Sequence, residues 1–267
     1  MFEDFRQGIA QRWTQTRLGP ATIQVADEKL RMSLPKVQRG QYADAQIDDY
    51  DSLPRRAFPW RPPLVMEVRA RSSHPAATAG SDAESHEILR GTAGFGFWNY
   101  PFSVRGDILM LPEAIWFFYA SPPSNMALVP GQPGQGWKAQ VVHSMRAETA
   151  LATAPMALSA AWARLTGDER PAARWLQRLS GTQEALLDVD MTGWHIYRLE
   201  WRAGDALFRV DDRLVLRATH PPTRPLGFVA WIDNQYAIAT PRGTLRFGTV
   251  ATGPEWLELD YIRIEPL

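Results

Sequence analysis

Acidic residues two apart in an extended chain share a face, with roughly 6–7 Å between their α-carbons. That is close enough for one carboxyl to give a proton while the other takes one or attacks. Asp188/Asp190 and Glu258/Asp260 have this spacing. The first pair reads as a loop leading into an aromatic strand, the second as surface acids on the last strand. Asp48, Asp49 and Asp51 offer three carboxylates to a hard cation, but without the alternating acid-glycine loop of a calcium site they read as a solvated turn. Asp233 is the acid best placed for a functional role. In the run Trp231-Ile232-Asp233-Asn234-Gln235-Tyr236, alternation puts Trp231, Asp233 and Gln235 on one face. Glu113 is a second catalytic candidate, at the mouth of an aromatic strand. The five histidines are scattered, with neither metal-ligand nor H-E-x-x-H spacing. There is no G-x-S-x-G elbow and no cysteine, so neither an elbow serine nor a thiolate nucleophile is available. Gly-Gln-Pro-Gly-Gln-Gly at 131 to 136 lacks the Lys-Ser/Thr of a phosphate cradle and reads as a loop.

Aromatic residues repeat at strand spacing beside these acids. Trp98 and Tyr100 share one face of their strand, and Trp116 and Phe118 share one face of theirs. With Trp231 they make either a core layer or a flat apolar platform for a ring-shaped ligand. Asn99, Asp233, Asn234 and Gln235 could orient such a ligand.

The elements that must position these side chains are strands. Trp194 to Trp201, Ala206 to Val210 and Leu214 to Leu216 are separated by turns at Arg202-Ala203-Gly204-Asp205 and Asp211-Asp212, an antiparallel meander. Strands are also predicted near Leu226 to Ile232 and Trp256 to Ile264, and upstream at Ala21–Val25, Lys29–Leu34, Tyr42–Ile47, Leu64–Arg71, Gly94–Tyr100, Ala114–Tyr119 and Trp137–His143. Residues 1 to 20 read as a lead-in with at most one helical turn. Residues 145 to 186 break the pattern: Ala and Leu dominate, and Ala172, Trp175, Leu176 and Leu179 form one apolar stripe. The expectation is a single β domain over 1–267 with a helical insertion at 145–186.

Composition narrows the partners. Net charge is zero, which argues against a broad nucleic-acid surface. No apolar run reaches membrane-spanning length. The acidic N-terminus has no apolar segment of signal-peptide type, so a cytoplasmic location is expected.

The C-terminal third resembles the concanavalin A-like lectin/glucanase superfamily, and within it the family-sixteen glycoside hydrolases. Trp194, His195, Tyr197, Glu200 and Trp201 match a W-H-x-Y-x-x-E-W strand, followed by Phe208-Arg209-Val210-Asp211. Leu259-Asp260-Tyr261-Ile262-Arg263-Ile264 is similar to the family's V-D-Y-V-R-V strand. Pro225 to Trp231 falls where the family has a concave-sheet strand, and Gly96-Phe97-Trp98 looks like its A-F-W strand. The resemblance implies an all-β jelly-roll sandwich with a ligand face on the concave sheet, and a structural calcium at Asp260 as the one cofactor. It also implies a retaining carboxyl pair about 5–5.5 Å apart, carried as E-x-D-x-E on one strand. The corresponding positions here are Ala114, Trp116 and Phe118. Glu113 is one residue out of register, so it faces the other way or sits at the strand entrance. The function expected is therefore a non-hydrolytic or diverged carbohydrate-active domain. It would bind a glycan or small ligand through Trp98, Tyr100, Trp116, Phe118, Trp231, Asp233 and Gln235. The alternatives are a glycoside hydrolase with relocated carboxylates, or a small-molecule pocket closed by the helical insertion.

Overall fold

The computed structural model describes residues 1–54, 57–78, 80–82, 85–100, 112–126, 129, 131–144, 181–239 and 245–267. Among these residues eighteen strands follow in chain order. The first six are β1 (Phe2–Glu3), β2 (Thr14–Leu18), β3 (Thr22–Ala26), β4 (Lys29–Leu34), β5 (Asp44–Asp48) and β6 (Leu64–Ser72). The middle six are β7 (Thr92–Trp98), β8 (Glu113–Ala120), β9 (Asn125–Met126), β10 (Gly136–His143), β11 (Gln183–Leu186) and β12 (His195–Trp201). The last six are β13 (Asp205–Val210), β14 (Arg213–Thr219), β15 (Gly227–Asp233), β16 (Gln235–Ala239), β17 (Leu245–Thr249) and β18 (Glu255–Pro266).

They form two large antiparallel sheets. One runs β14-β13-β12-β6-β18-β4-β3, with β1 on β18. The other runs β11-β10-β8-β7-β15-β5-β2, and a small third sheet joins β17, β16 and β9. The core lies between the large sheets because alternation sends every second side chain there. Phe95, Phe97, Ile115, Phe117 and Phe228 from one sheet meet Met66, Val68, Tyr197, Leu199 and Phe208 from the other, all at 2% exposure or less. Edge-on rings tie the layers together, with Phe95–Tyr197 centroids 5.2 Å apart and Phe117–Phe208 5.3 Å apart.

The turns obey their chemistry. Asp27-Glu28 and Asp211-Asp212 both take positive φ at two successive residues, as a two-residue hairpin requires. Two expectations change. Residues 14–18, read as lead-in, are the edge strand β2; its polar alternation, Thr-Gln-Thr-Arg, carries little apolar signal because one neighbour and much of both faces are solvent. Of the expected helical insertion, residues 145–180 lie outside the described residues. Its last stretch, Gln183–Leu186, is strand β11, hydrogen-bonded to β10. No helix among the described residues is long and apolar enough to cross a membrane.

Candidate functional site

Strand β8 carries the site because its two faces have opposite duties. Ile115, Phe117 and Tyr119 enter the core; Ala114, Trp116, Phe118 and Ala120 point away from the other sheet. Register then sets the neighbours. Gly96 and Gly94 of β7 lie beside Trp116 and Phe118, and Trp231 of β15 lies beside Gly94. The glycines make room: a Cβ on Gly94 would fall 2.9 Å from Trp231 Cη2, and one on Gly96 would fall 2.5 Å from the Trp116 Cα and Cβ. The rings close over the backbone between them. Trp116 stacks on Phe118 with centroids 5.4 Å apart and lies 5.2 Å from Trp231 and 5.9 Å from Trp98. Tyr100 is past the end of β7, at φ 47°, yet its ring keeps contact with Trp98 at 5.4 Å and with Tyr50 at 5.3 Å. Phe118 and Trp231 are buried, while Trp98, Tyr100 and Trp116 remain half-exposed.

Polar groups fix these rings. Trp98 Nε1 donates to Tyr50 Oη at 2.6 Å, and Trp231 Nε1 to Thr92 Oγ1 at 3.0 Å. Trp116 Nε1 donates to Gln140 Oε1 at 2.8 Å, while Gln140 Nε2 and Lys138 Nζ donate to Glu184 at 2.7 and 2.8 Å. Lys138 and Glu184 are buried as a pair, which desolvation makes tolerable only with these extra bonds.

The acids separate sharply. Asp233 lies on the aromatic face, one cross-strand step from Thr92, whose hydroxyl donates to Oδ1 at 2.8 Å. Burial raises its pKa to about 6. Its other cross-strand neighbour is Asp44 of β5, which the sequence reading did not single out. Burial and the Asp233 charge push Asp44 well above the usual carboxylate range. The signal was present: in Asp44-Ala45-Gln46-Ile47-Asp48 the polar residues alternate with core residues, placing Asp44 and Asp48 on the face of Trp231. Gln235 was expected on β15 with Trp231 and Asp233. The strand instead ends at Asp233, because the Asn234 side chain turns inward to bond Ala43 N, Gln41 O and Val250 O. Gln235 opens β16, exposed, and donates its backbone N–H to Asp233 Oδ1 at 2.9 Å.

Glu113 is not part of this cluster. It begins β8 with the parity of Ile115 and Phe117, is 1% exposed, and has Oε1 3.3 Å from His143 Nε2. It lies at the Trp98 end of the sheet, on the core side, whereas Asp233 lies at the Ala120 end on the opposite side. The two carboxyls cannot serve one bond. Asp188 is exposed in a loop, and Asp190 caps Thr192 with bonds of 3.0 and 2.7 Å. Asp48 caps the turn through Tyr50 N and Asp51 N, and Asp49 accepts from Trp60 Nε1 and Phe228 N. His195 bridges Asp211 Oδ2 and the Asp190 carbonyl at 2.6 and 2.9 Å.

A calcium at Asp260 does not fit the groups around it. Arg69 Nη1 is 2.6 Å from Asp260 Oδ2, and Arg31 and Arg71 hold both oxygens of Glu258. A dication there would face guanidinium charge, and no group of three metal-ligating side chains occurs among the described residues.

Comparison with solved structures agrees with this architecture. The chain has the fold of jelly-roll glycanases. A structure from work on endo-acting O-glycanases of human gut microbiota superposes with a TM-score of 0.55 at 12% identity, over 100% of this chain and 98% of that one. A β-1,3-1,4-glucanase (lichenase) from a mouse hindgut metagenome gives 0.54 at 13% identity, over 100% and 99%. A GlcNAcα1-4Gal-releasing endo-β-galactosidase from Clostridium perfringens gives 0.53 at 12% identity, over 100% of this chain and 62% of that one. No protein-family model matches the sequence, and no curated protein does.

Proposed function

We propose that this is a carbohydrate-active β-sandwich whose seven-stranded sheet binds a glycan on its aromatic face, without hydrolytic acids on β8. The observation that carries the reading is the row Ala114, Trp116 and Phe118, pointing together into the face that Trp98 and Trp231 complete. A retaining mechanism needs two carboxyls across a scissile bond. Alanine, an indole and a phenyl ring can neither protonate a leaving group nor attack an anomeric carbon. Half-exposed indoles can stack on the C–H faces of sugars, and their Nε1 bonds to Tyr50 and Gln140 hold the rings in one orientation. The glycan-acting names of the superposed structures support a saccharide as the ligand class.

The test is calorimetric titration with β-1,3-1,4-glucan oligosaccharides, the polymer acted on by one of the superposed enzymes. Trp98→Ala and Trp116→Ala should each weaken binding about tenfold or more, equivalent to about 1.4 kcal/mol. Reducing sugar should not be released from the polymer. Unchanged binding by both variants, or steady release that survives in Asp233→Asn, would sink the proposal.

A further inference from the structure

Trp116 is held differently from its neighbours. Trp98 and Trp231 donate to hydroxyls, Tyr50 Oη and Thr92 Oγ1, and a hydroxyl turns to suit its partner. Trp116 donates to an amide, Gln140 Oε1, at 2.8 Å. An amide oxygen accepts and its NH2 does not, so a half-turn of Gln140 would set donor against donor. Some group must therefore fix which end faces the indole. One cross-strand row supplies it: Trp116 of β8 opposes Gln140 of β10, and Gln140 opposes Glu184 of β11. Glu184 Oε2 accepts from Gln140 Nε2 at 2.7 Å, and Oε1 accepts from Lys138 Nζ at 2.8 Å. A carboxylate only accepts, so only the NH2 end of Gln140 can face it. Lys138 lies on the same face, two residues before Gln140, and also donates to the Pro133 carbonyl. Lys138, Gln140 and Glu184 are 3%, 3% and 6% exposed, so water is a poor substitute for any of them.

We infer that Glu184 is a positioning residue for the glycan face: paired with Lys138 it fixes the Gln140 amide, and through that amide the orientation of Trp116. Its effect on affinity rests on the glycan-binding reading above, whereas its effect on the ring does not. Glu184→Gln keeps the shape of the side chain but leaves one acceptor for two donors, Gln140 Nε2 and Lys138 Nζ. Gln140 is then free to turn, and the indole loses its acceptor. Exchanging the two groups, Gln140→Glu with Glu184→Gln, restores the order. The carboxylate at 140 accepts from Trp116 and from the amide at 184, whose oxygen accepts from Lys138. Charge and hydrogen bonds are both conserved in the exchange.

The experiment is proton–nitrogen NMR of protein labelled at tryptophan, beside calorimetric titration with a β-1,3-1,4-glucan oligosaccharide. The Trp116 indole signal is identified by its loss in Trp116→Phe. In Glu184→Gln that indole proton should move upfield while those of Trp98 and Trp231 stay, and affinity should fall about fivefold. The exchanged pair should return the signal and bring affinity back to within about twofold of wild type. An ion pair that served stability alone would move no indole signal. If Glu184→Gln does not fold, the exchanged pair decides: the Trp116 signal in its wild-type place supports the inference, and a displaced signal or a second unfolded chain overturns it. In a folded Glu184→Gln, an unmoved signal, an unchanged affinity or a shift that the exchange does not reverse overturns it. The glycan reading then still stands on Trp98→Ala and Trp116→Ala. If the signal moves but wild type binds no oligosaccharide, the glycan reading falls and the positioning of Trp116 stands.

Discussion

The two large sheets show contrasting outer faces. On the eight-stranded sheet, charge is matched locally. Glu258 takes Arg31 and Arg71, Asp260 takes Arg69, and Glu200 takes Arg202 at 2.5 Å. The same guanidiniums lie over indoles, Arg71 at 4.7 Å from Trp194 and 5.3 Å from Trp256. On the seven-stranded sheet, rings pack on rings over glycines, and Asp44 and Asp233 have no cationic partner among the described residues. On the first face Arg31, Arg69 and Arg71 each meet both a carboxylate and an indole. The second keeps half-exposed rings at Trp98, Tyr100 and Trp116 beside two acids that no cation offsets among the described residues.

The strongest way to break that contrast is Gly96→Ala. The new Cβ would meet the Trp116 Cα and Cβ at 2.5 Å and the Ile115 carbonyl at 2.6 Å, and φ of +149° is one that L residues rarely adopt. Unfolding in urea should show a loss of about 2–4 kcal/mol. A loss below 0.5 kcal/mol would mean that Trp116 is not pressed against β7.

An intermediate effect is expected from pH. Burial raises Glu255 to about 8, against a hydrogen bond from the Arg90 amide and the Arg90 charge, and raises Asp233 to about 6. The native state therefore keeps protons that the unfolded chain releases, so stability falls as pH rises. For Asp233 the fall runs from about pH 4 to about 6, and for Glu255 from about 4.5 to about 8. Thermal unfolding across this range should show a declining midpoint. Glu255→Gln should flatten the part above pH 6, and a midpoint that climbs between pH 6 and 8 would contradict the assignment.

The smallest effect belongs to the paired face. Glu258→Gln removes the charge shared by Arg31 and Arg71, both of which are over 30% exposed and screened by water. Denaturation should shift by about 1 kcal/mol or less, with ligand affinity unchanged. A change in glycan affinity would move the binding surface to the wrong sheet.

Much of this was legible from alternation alone. Trp98, Trp116, Phe118, Trp231 and Asp233 fall on one face of one sheet because each strand's parity was readable and antiparallel register preserves it. Gln235 escaped, since nothing local says that Asn234 will turn inward to bond groups up to 193 residues away. Asp44 escaped for the converse reason: its strand was recognised, but its opposite number is 189 positions later in the chain, and only sheet order brings them together. Strand β2 was missed because an edge strand with polar residues on both sides has no apolar period to read.

The inward amide of Asn234 has one more consequence. It joins the end of β15 to Ala43, at the threshold of β5, and to Val250, just beyond β17. Both aspartates thus hang from a single knot of backbone. Little backbone freedom is left there, so a ligand seated at that end would meet groups already held in place.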